Sequence, residues 1–229
     1  MFVINSPSNP SGVAYSKKEL ESIAKVLLEY PDILVVTDDM YEHIIWNEEG
    51  FSNILNACGE LYDRCMVLNG VSKAYAMTGW RIGYAAGPED IIKAMKKIQS
   101  QSTSNPCSIS QAAAVAALNG GQTCIQTMLA AFKERHDFVV KSVSAIPHMN
   151  CTPSDGTFYS FVNIQPFIDS RSDLNSDVEV ANLLLDQVGV ALVPGSAFGS
   201  PGHMRLSFAT SMQNLESAMQ RISQVFSEK

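Results

Sequence analysis

Ile33-Leu34-Val35-Val36-Thr37-Asp38-Asp39-Met40-Tyr41 is the stretch whose reading decides the fold. Its first five residues are β-branched or apolar without alternation, the composition of a strand buried on both faces in a parallel sheet. Two carboxylates follow at once, at the strand end where open α/β sheets bind ligands. Asp38 and Asp39 are equally suited to cap a following helix. Upstream, Phe2-Val3-Ile4-Asn5 reads as a short strand that ends in a turn cluster. Ser16-Lys17-Lys18-Glu19 forms a capping box, and the helix it opens carries Leu20, Ile23, Ala24 and Leu27 at helical spacing. Downstream, Cys65-Met66-Val67-Leu68 and Ile82-Gly83-Tyr84-Ala85-Ala86 read as two more buried strands. Strand, helix, strand in this order predicts a parallel α/β sheet.

Beyond Gly87-Pro88 the pattern changes to long helices over 89–101, 108–118 and 123–146, the last stopped by Pro147. Thr157 to Val162 alternates as a strand does, a helix is expected over 177–187, and Val190 to Pro194 and His203 to Phe208 read as strands. A helix over 214–226 closes the chain. The second half is therefore a smaller α+β unit, and no internal repeat is present.

A chain of 229 residues suffices for one large domain or two small ones, with a core that needs neither disulfides nor a structural metal. Lys plus Arg is 16 against 23 Asp plus Glu, a net charge of −7. Without a basic block, nucleic acid and anionic membrane are poor partners. There is no apolar run long enough to span a bilayer, and residues 1–7 lack the pattern of a secretory signal. Cys58, Cys65, Cys107, Cys124 and Cys151 are odd in number and widely spread, as expected of reduced thiols in the cytoplasm. His43, His136, His148 and His203 show no metal-ligand spacing and read as structural or surface residues.

Three clusters carry chemistry. Asn5-Ser6-Pro7-Ser8-Asn9-Pro10-Ser11-Gly12 is a rigid turn after a strand, which alone means no more than a tight loop. Asp38 to Tyr41 is the second. The third runs from Gly70 to Gly83, Gly-Val-Ser-Lys-Ala-Tyr-Ala-Met-Thr-Gly-Trp-Arg-Ile-Gly, and sets Lys73 beside small residues with Arg81 eight positions on. A reactive amine and an anion clamp can meet in such a loop, although a single loop lysine is usually only solvated.

Together these clusters resemble the class I family of pyridoxal-phosphate-dependent aminotransferases, of fold type I. The Gly70–Gly83 segment matches the family's lysine-attachment signature, and the Asn-Pro-x-Asn-Pro-x-Gly and Asp-x-x-Tyr patterns precede it in the family's order. The nearest subgroup by resemblance is the bacterial aspartate aminotransferase type. The resemblance implies an α/β fold: the C-terminal part of the parallel-sheet, cofactor-binding large domain over 1–105, connecting helices over 106–146 and a small α+β domain over 147–229. It implies that Lys73 is catalytic, holding pyridoxal 5'-phosphate as a Schiff base and shuttling a proton. Asp38 would pair with the pyridine nitrogen. Tyr41 and Asn9 would hydrogen-bond the phenolic oxygen, Arg81 would grip the phosphate, and Ser72 would add a hydroxyl to it. In Met204-Arg205-Leu206-Ser207-Phe208, Arg205 would bind the substrate α-carboxylate. A plain edge-strand arginine facing water is the bland alternative. Pro153 to Tyr159 resembles the family's entry into the small-domain sheet.

The implied activity is transamination between an amino acid and a 2-oxo acid, in a homodimer. A lyase or decarboxylase at the same cofactor, or a non-catalytic relative, would carry similar motifs. Family members have a long N-terminal part with a glycine-rich phosphate loop that does not match anything before Asn5. The chain is thus expected to correspond to the C-terminal portion. Alone it is expected to hold the cofactor weakly, to expose a sheet edge at Phe2-Val3-Ile4 and to show no transamination.

Overall fold

A computed structural model describes residues 1–227. The chain divides into two compact units. The first comprises Met1–Pro7 and Ala14–Leu129, the second Ser8–Val13 and Ala130–Lys229. A short N-terminal loop is therefore claimed by the second unit although the first flanks it on both sides.

The first unit is built on strands β1 (Phe2–Asn5), β2 (Val35–Asp38), β3 (Cys65–Gly70) and β4 (Gly83–Ala86), in the order β1-β2-β3-β4. The first three are parallel, with Asn5 opposite Asp38 and Asp38 opposite Leu68. Helix α1 (Lys17–Leu28) is the crossover between β1 and β2. Its capping box forms as the sequence predicts: Ser16 Oγ accepts the Glu19 N–H, and the Glu19 carboxylate accepts the Ser16 N–H at 2.8 Å. Leu20, Ala24 and Leu27 then pack into a core with Ile4, Val35, Ile54, Leu61 and Cys65. Arg64 closes the far end of the helix, donating to the Leu27 carbonyl at 2.7 Å and the Ile33 carbonyl at 2.6 Å. The first of these carbonyls lies at a helix end, where it also accepts the Tyr30 N–H at 3.1 Å, and the second lies just before β2.

Strand β4 departs from the sequence expectation. It runs antiparallel to β3, with Gly70 opposite Gly83 and Val67 opposite Ala86. Residues 71–82 join the two strands by turns without a crossover helix, and only an antiparallel neighbour can be reached that way. Nor is β4 buried on both faces, since Gly83, Tyr84 and Ala86 are exposed. Helices α2 (Ile54–Ala57) and a 3-10 turn over Gly59–Arg64 were not legible as periodic segments because each is too short to show a period. Helices α3 (Glu89–Ser102) and α4 (Ser108–Asn119) follow, and α5 (Thr123–Ala145) contains the boundary between the units.

The second unit holds an antiparallel sheet of β5 (Asn150–Cys151), β6 (Tyr159–Asn163), β7 (Val193–Pro194) and β8 (His203–Ser207), in the order β5-β6-β8-β7. Of the apolar run 190–194 only Val193 and Pro194 pair with β8. Helices α6 (Gln165–Asp169), α7 (Asp177–Val188) and α8 (Met212–Ser227) complete it. Ser176 caps α7 and Gly189 ends it in the left-handed conformation. Met204 and Leu206 of β8 are buried, together with Phe167, Leu184, Leu215 and Ile222. Among the described residues no helix is long and apolar enough to cross a membrane.

Leu20 is 1% exposed in the α1 core, whereas Val26 on the outer face of the same helix is 56% exposed. Leu20→Ala should lower the unfolding free energy by about 2–5 kcal/mol. Val26→Ala should change it by no more than about 0.5 kcal/mol. Denaturant titration of the two variants checks the contrast.

Candidate functional site

The C-terminal ends of three aligned parallel strands present the chemical groups of the first unit. The Asn5 side-chain amide donates to the Asp38 carbonyl at 3.1 Å, and the Asp39 N–H donates to the Leu68 carbonyl at 2.9 Å, which locks the strand ends level. Successive side chains of a strand point to opposite faces, so the two aspartates have different surroundings. Asp39 is 2% exposed. It accepts from Thr37 Oγ1 at 2.5 Å and from Asn53 Nδ2 at 3.0 Å. Burial pushes its carboxyl up, against those two hydrogen bonds, which pull it down. Asp38 is half-buried, and among the described residues its Oδ1 accepts the Met40 N–H, at 3.2 Å. Asp39 is thus committed to the interior, while Asp38 keeps an oxygen for another donor.

The tight turn after Asp39, with the Glu42 N–H donating to the Asp39 carbonyl at 2.9 Å, turns Tyr41 inward to 5% exposure. Lys73 Nζ stands 6.0 Å from the centre of the Tyr41 ring. Lys73 belongs to the loop of residues 71–82. Val71 and Ile82 of that loop are buried against Ala114 of α4, with Tyr75, Met77 and Ala117 packed around them, and Ala74 is buried as well. The alternation of anchored and outward residues leaves Ser72 and Lys73 half-buried and Arg81 exposed. Ala76 and Arg81 both adopt positive φ, at 53° and 54°. Non-glycine residues in this region are strained, and such strain gathers at functional sites. Arg81 Nη1 donates to the Thr78 carbonyl at 2.8 Å, which holds the guanidinium over its own turn. The close approach of β3 and β4 needs Gly70, because a Cβ there would lie 2.9 Å from the Ile82 carbonyl oxygen.

Asn9 and Arg205 belong to the second unit. On β8, Arg205 lies on the face opposite Met204 and Leu206 and pairs in register with Phe161. Its guanidinium carbon stands 4.5 Å from the Tyr159 ring centre and 5.0 Å from that of Phe198, a stacking geometry that suits arginine. Nη1 donates to Asn9 Oδ1 at 2.9 Å. Nε is buried and meets no acceptor among the described residues, as expected of a group shaped to receive an anion. The arginine is therefore not a water-facing edge residue. Sequence reasoning did not single out Tyr159 and Phe198, since aromatic residues in a strand and a turn read as core. Among the described residues no three His, Cys, Asp or Glu side chains are grouped so as to hold a metal ion.

The contrast between the neighbouring aspartates is measurable. Asp39→Ala strands the buried Thr37 hydroxyl and Asn53 amide and should cost about 1–3 kcal/mol of unfolding free energy. Asp38→Ala loses one partly solvated hydrogen bond and should cost under about 1 kcal/mol. Thermal or denaturant unfolding at neutral pH decides between them.

An aspartate/prephenate aminotransferase of Nitrosomonas europaea is 56% identical over 232 residues, covering 99% of this chain and 58% of that protein. One of Cereibacter sphaeroides is 45% identical, covering 96% of this chain and 56% of that protein. The chain therefore spans little more than half the length of these relatives. The crystal structure of the aspartate aminotransferase of Rhizobium meliloti superposes with a TM-score of 0.91 at 44% identity, over 97% of this chain and 56% of that one. The aromatic aminotransferase of Pyrococcus horikoshii superposes with a TM-score of 0.89 at 34% identity. Residues 1–222 match the sequence profile of aminotransferase class I and II, and with nearly the whole chain matched, the protein belongs to that family.

Proposed function

We propose that this chain carries the lysine-bearing part of a pyridoxal-phosphate-dependent aminotransferase that moves an amino group between an amino acid of the aspartate type and a 2-oxo acid. The observation that supports the reading most is the loop of residues 71–82, whose buried Val71, Ala74 and Ile82 display Lys73 and Arg81 outward. The donor set of the first unit suits this cofactor. It comprises a primary amine for an aldehyde, a carboxylate with an available oxygen for a ring N–H, a phenol, and a guanidinium for a phosphate. When bound, pyridoxal phosphate supplies an electron sink for the carbanion left as the substrate loses its α-proton.

The chain's own residues do the rest. Lys73 Nζ would hold the cofactor's aldehyde carbon and, released when the substrate's amine takes its place there, would take the α-proton as a free amine and return it. Asp38 would hold the proton on the ring nitrogen through an ion pair. Tyr41 and Asn9 would donate to the phenolic oxygen. Arg81 would clamp the phosphate, with Ser72 adding its hydroxyl. Arg205 orients the substrate through its α-carboxylate, with Tyr159 and Phe198 fixing the guanidinium plane. The reading includes a homodimeric assembly in the cytoplasm. It also takes residues 1–105 as cofactor-domain sequence, 106–146 as connecting helices and 147–229 as a small domain.

Borohydride reduction of the chain with excess pyridoxal phosphate, followed by peptide mapping, tests the assignment. The label should fall on Lys73 and vanish in Lys73→Ala; a label on another lysine overturns it. Arg81→Lys keeps the charge but loses the fork, and should raise the dissociation constant of pyridoxal phosphate by about tenfold. Absorbance titration reads that change.

A further inference from the structure

Of the four histidines, His136 alone is buried, at 4% exposure on α5. Its Nε2 accepts the Ser154 N–H at 3.0 Å, and its Nδ1 lies 3.0 Å from Asp137 Oδ1. Asp137 is in turn held by Lys133 Nζ. A ring that accepts at one nitrogen and faces a carboxylate at the other is the neutral Nδ1–H tautomer. Burial pushes its pKa below the ordinary imidazole range, against the pull of Asp137. The charged groups facing it are Asp137 and Lys133 on its own helix and Asp155 on the turn it contacts. From β8's end, the uncharged Phe208 ring meets it edge-on at 6.0 Å.

From Ser154 a continuous set of contacts leads to Arg205, all within the second unit. The next two N–H groups, of Asp155 and Gly156, both donate to the Gly12 carbonyl, at 2.9 and 3.0 Å. Gly12 has a φ of +72°, and a Cβ on it would lie 2.4 Å from Ser154 Cβ, so the two segments touch without slack. Gly12 closes its own loop by donating to the Ser8 carbonyl at 2.7 Å, and that loop carries Asn9. Asn9 Oδ1 accepts from Arg205 at 2.9 Å. On its other side the 154–157 turn feeds Tyr159, the ring stacked on Arg205, with the Tyr159 N–H donating to Thr157 Oγ1 at 3.2 Å.

We infer that His136 is a positioning residue: by accepting the Ser154 N–H it sets the 154–157 turn, and through Gly12 and Tyr159 the two supports of Arg205, so that carboxylate binding at Arg205 requires a neutral His136. A protonated ring would oppose an N–H to the Ser154 N–H. Because the folded state disfavours the charged ring, this contribution is fully present above the ordinary imidazole pKa and is lost only as pH falls through the lower pKa of the folded state. The inference rests on Arg205 being the carboxylate holder.

Calorimetric titration of the full chain with succinate, at about pH 7.5 and about pH 4.5, well below the ordinary imidazole pKa, tests both levels separately. Arg205→Lys is the control for the site: binding equal to the wild type overturns the reading of Arg205 itself. His136→Gln keeps an acceptor but cannot titrate. The wild type should lose about fivefold or more in affinity at the lower pH, while His136→Gln loses less than about twofold. His136→Phe, without an acceptor, should bind weakly at both. A parallel fall in the wild type and His136→Gln, with Arg205→Lys still impaired, overturns the role of His136 alone. Should His136→Phe fail to fold, the comparison of wild type and His136→Gln still decides.

Discussion

The level alignment of three parallel strand ends is the constraint on which the chemistry of the first unit depends. With Asn5, Asp38 and Leu68 in one register row, every chain segment leaving the sheet at that edge starts from the same height. The prolines and Asn9 follow Asn5, Tyr41 follows Asp38, and Lys73 follows Gly70. A slip of one residue in β2 would exchange Asp38 with Asp39, burying the aspartate that has a spare oxygen and exposing the one tied to Thr37 and Asn53. The hydrogen bonds from Asn5 to the Asp38 carbonyl and from Asp39 to the Leu68 carbonyl guard against that slip.

Much of this was legible in the sequence because it rests on local rules. The capping box at Ser16 and Glu19, the uninterrupted apolar run before Asp38 and the helix expected over 177–187 each follow from short-range physics, and each appears where expected. The orientation of β4 was not legible. Its apolar composition suits either direction, and what decides is the lack of a crossover helix between residues 71 and 82. The sequence also supplied the lysine, the aspartate pair and both arginines as candidates. Residue types alone left the two aspartates equivalent and only the Asp-x-x-Tyr resemblance singled out Asp38, because the burial of Asp39 depends on Asn53, fourteen residues away and on another element.

The second unit shows a different limit. Residues 8–13 read as part of the first half of the chain, yet they are grouped with residues 130–229. Two acceptors tie them there: the Gly12 carbonyl, which takes two consecutive N–H groups of the 154–157 turn, and Asn9 Oδ1, which accepts from Arg205. Periodicity carries no information about such contacts. The sequence trace of the first is the glycine itself, needed for its positive φ and for the space its missing Cβ leaves.

Under the role proposed for Arg205, its packing has a consequence for how tightly a carboxylate can be held. A free arginine side chain keeps about 2 kcal/mol of rotamer entropy, which an anion would have to remove on binding. Here Tyr159, Phe198 and Asn9 have already confined the guanidinium during folding. The ordering cost falls on the stability of the sheet instead of on the ligand. A small anion that makes only two hydrogen bonds, and has little surface to bury, gains most from such an arrangement. Association then requires mainly desolvation, and exchange can be rapid without the site being loose.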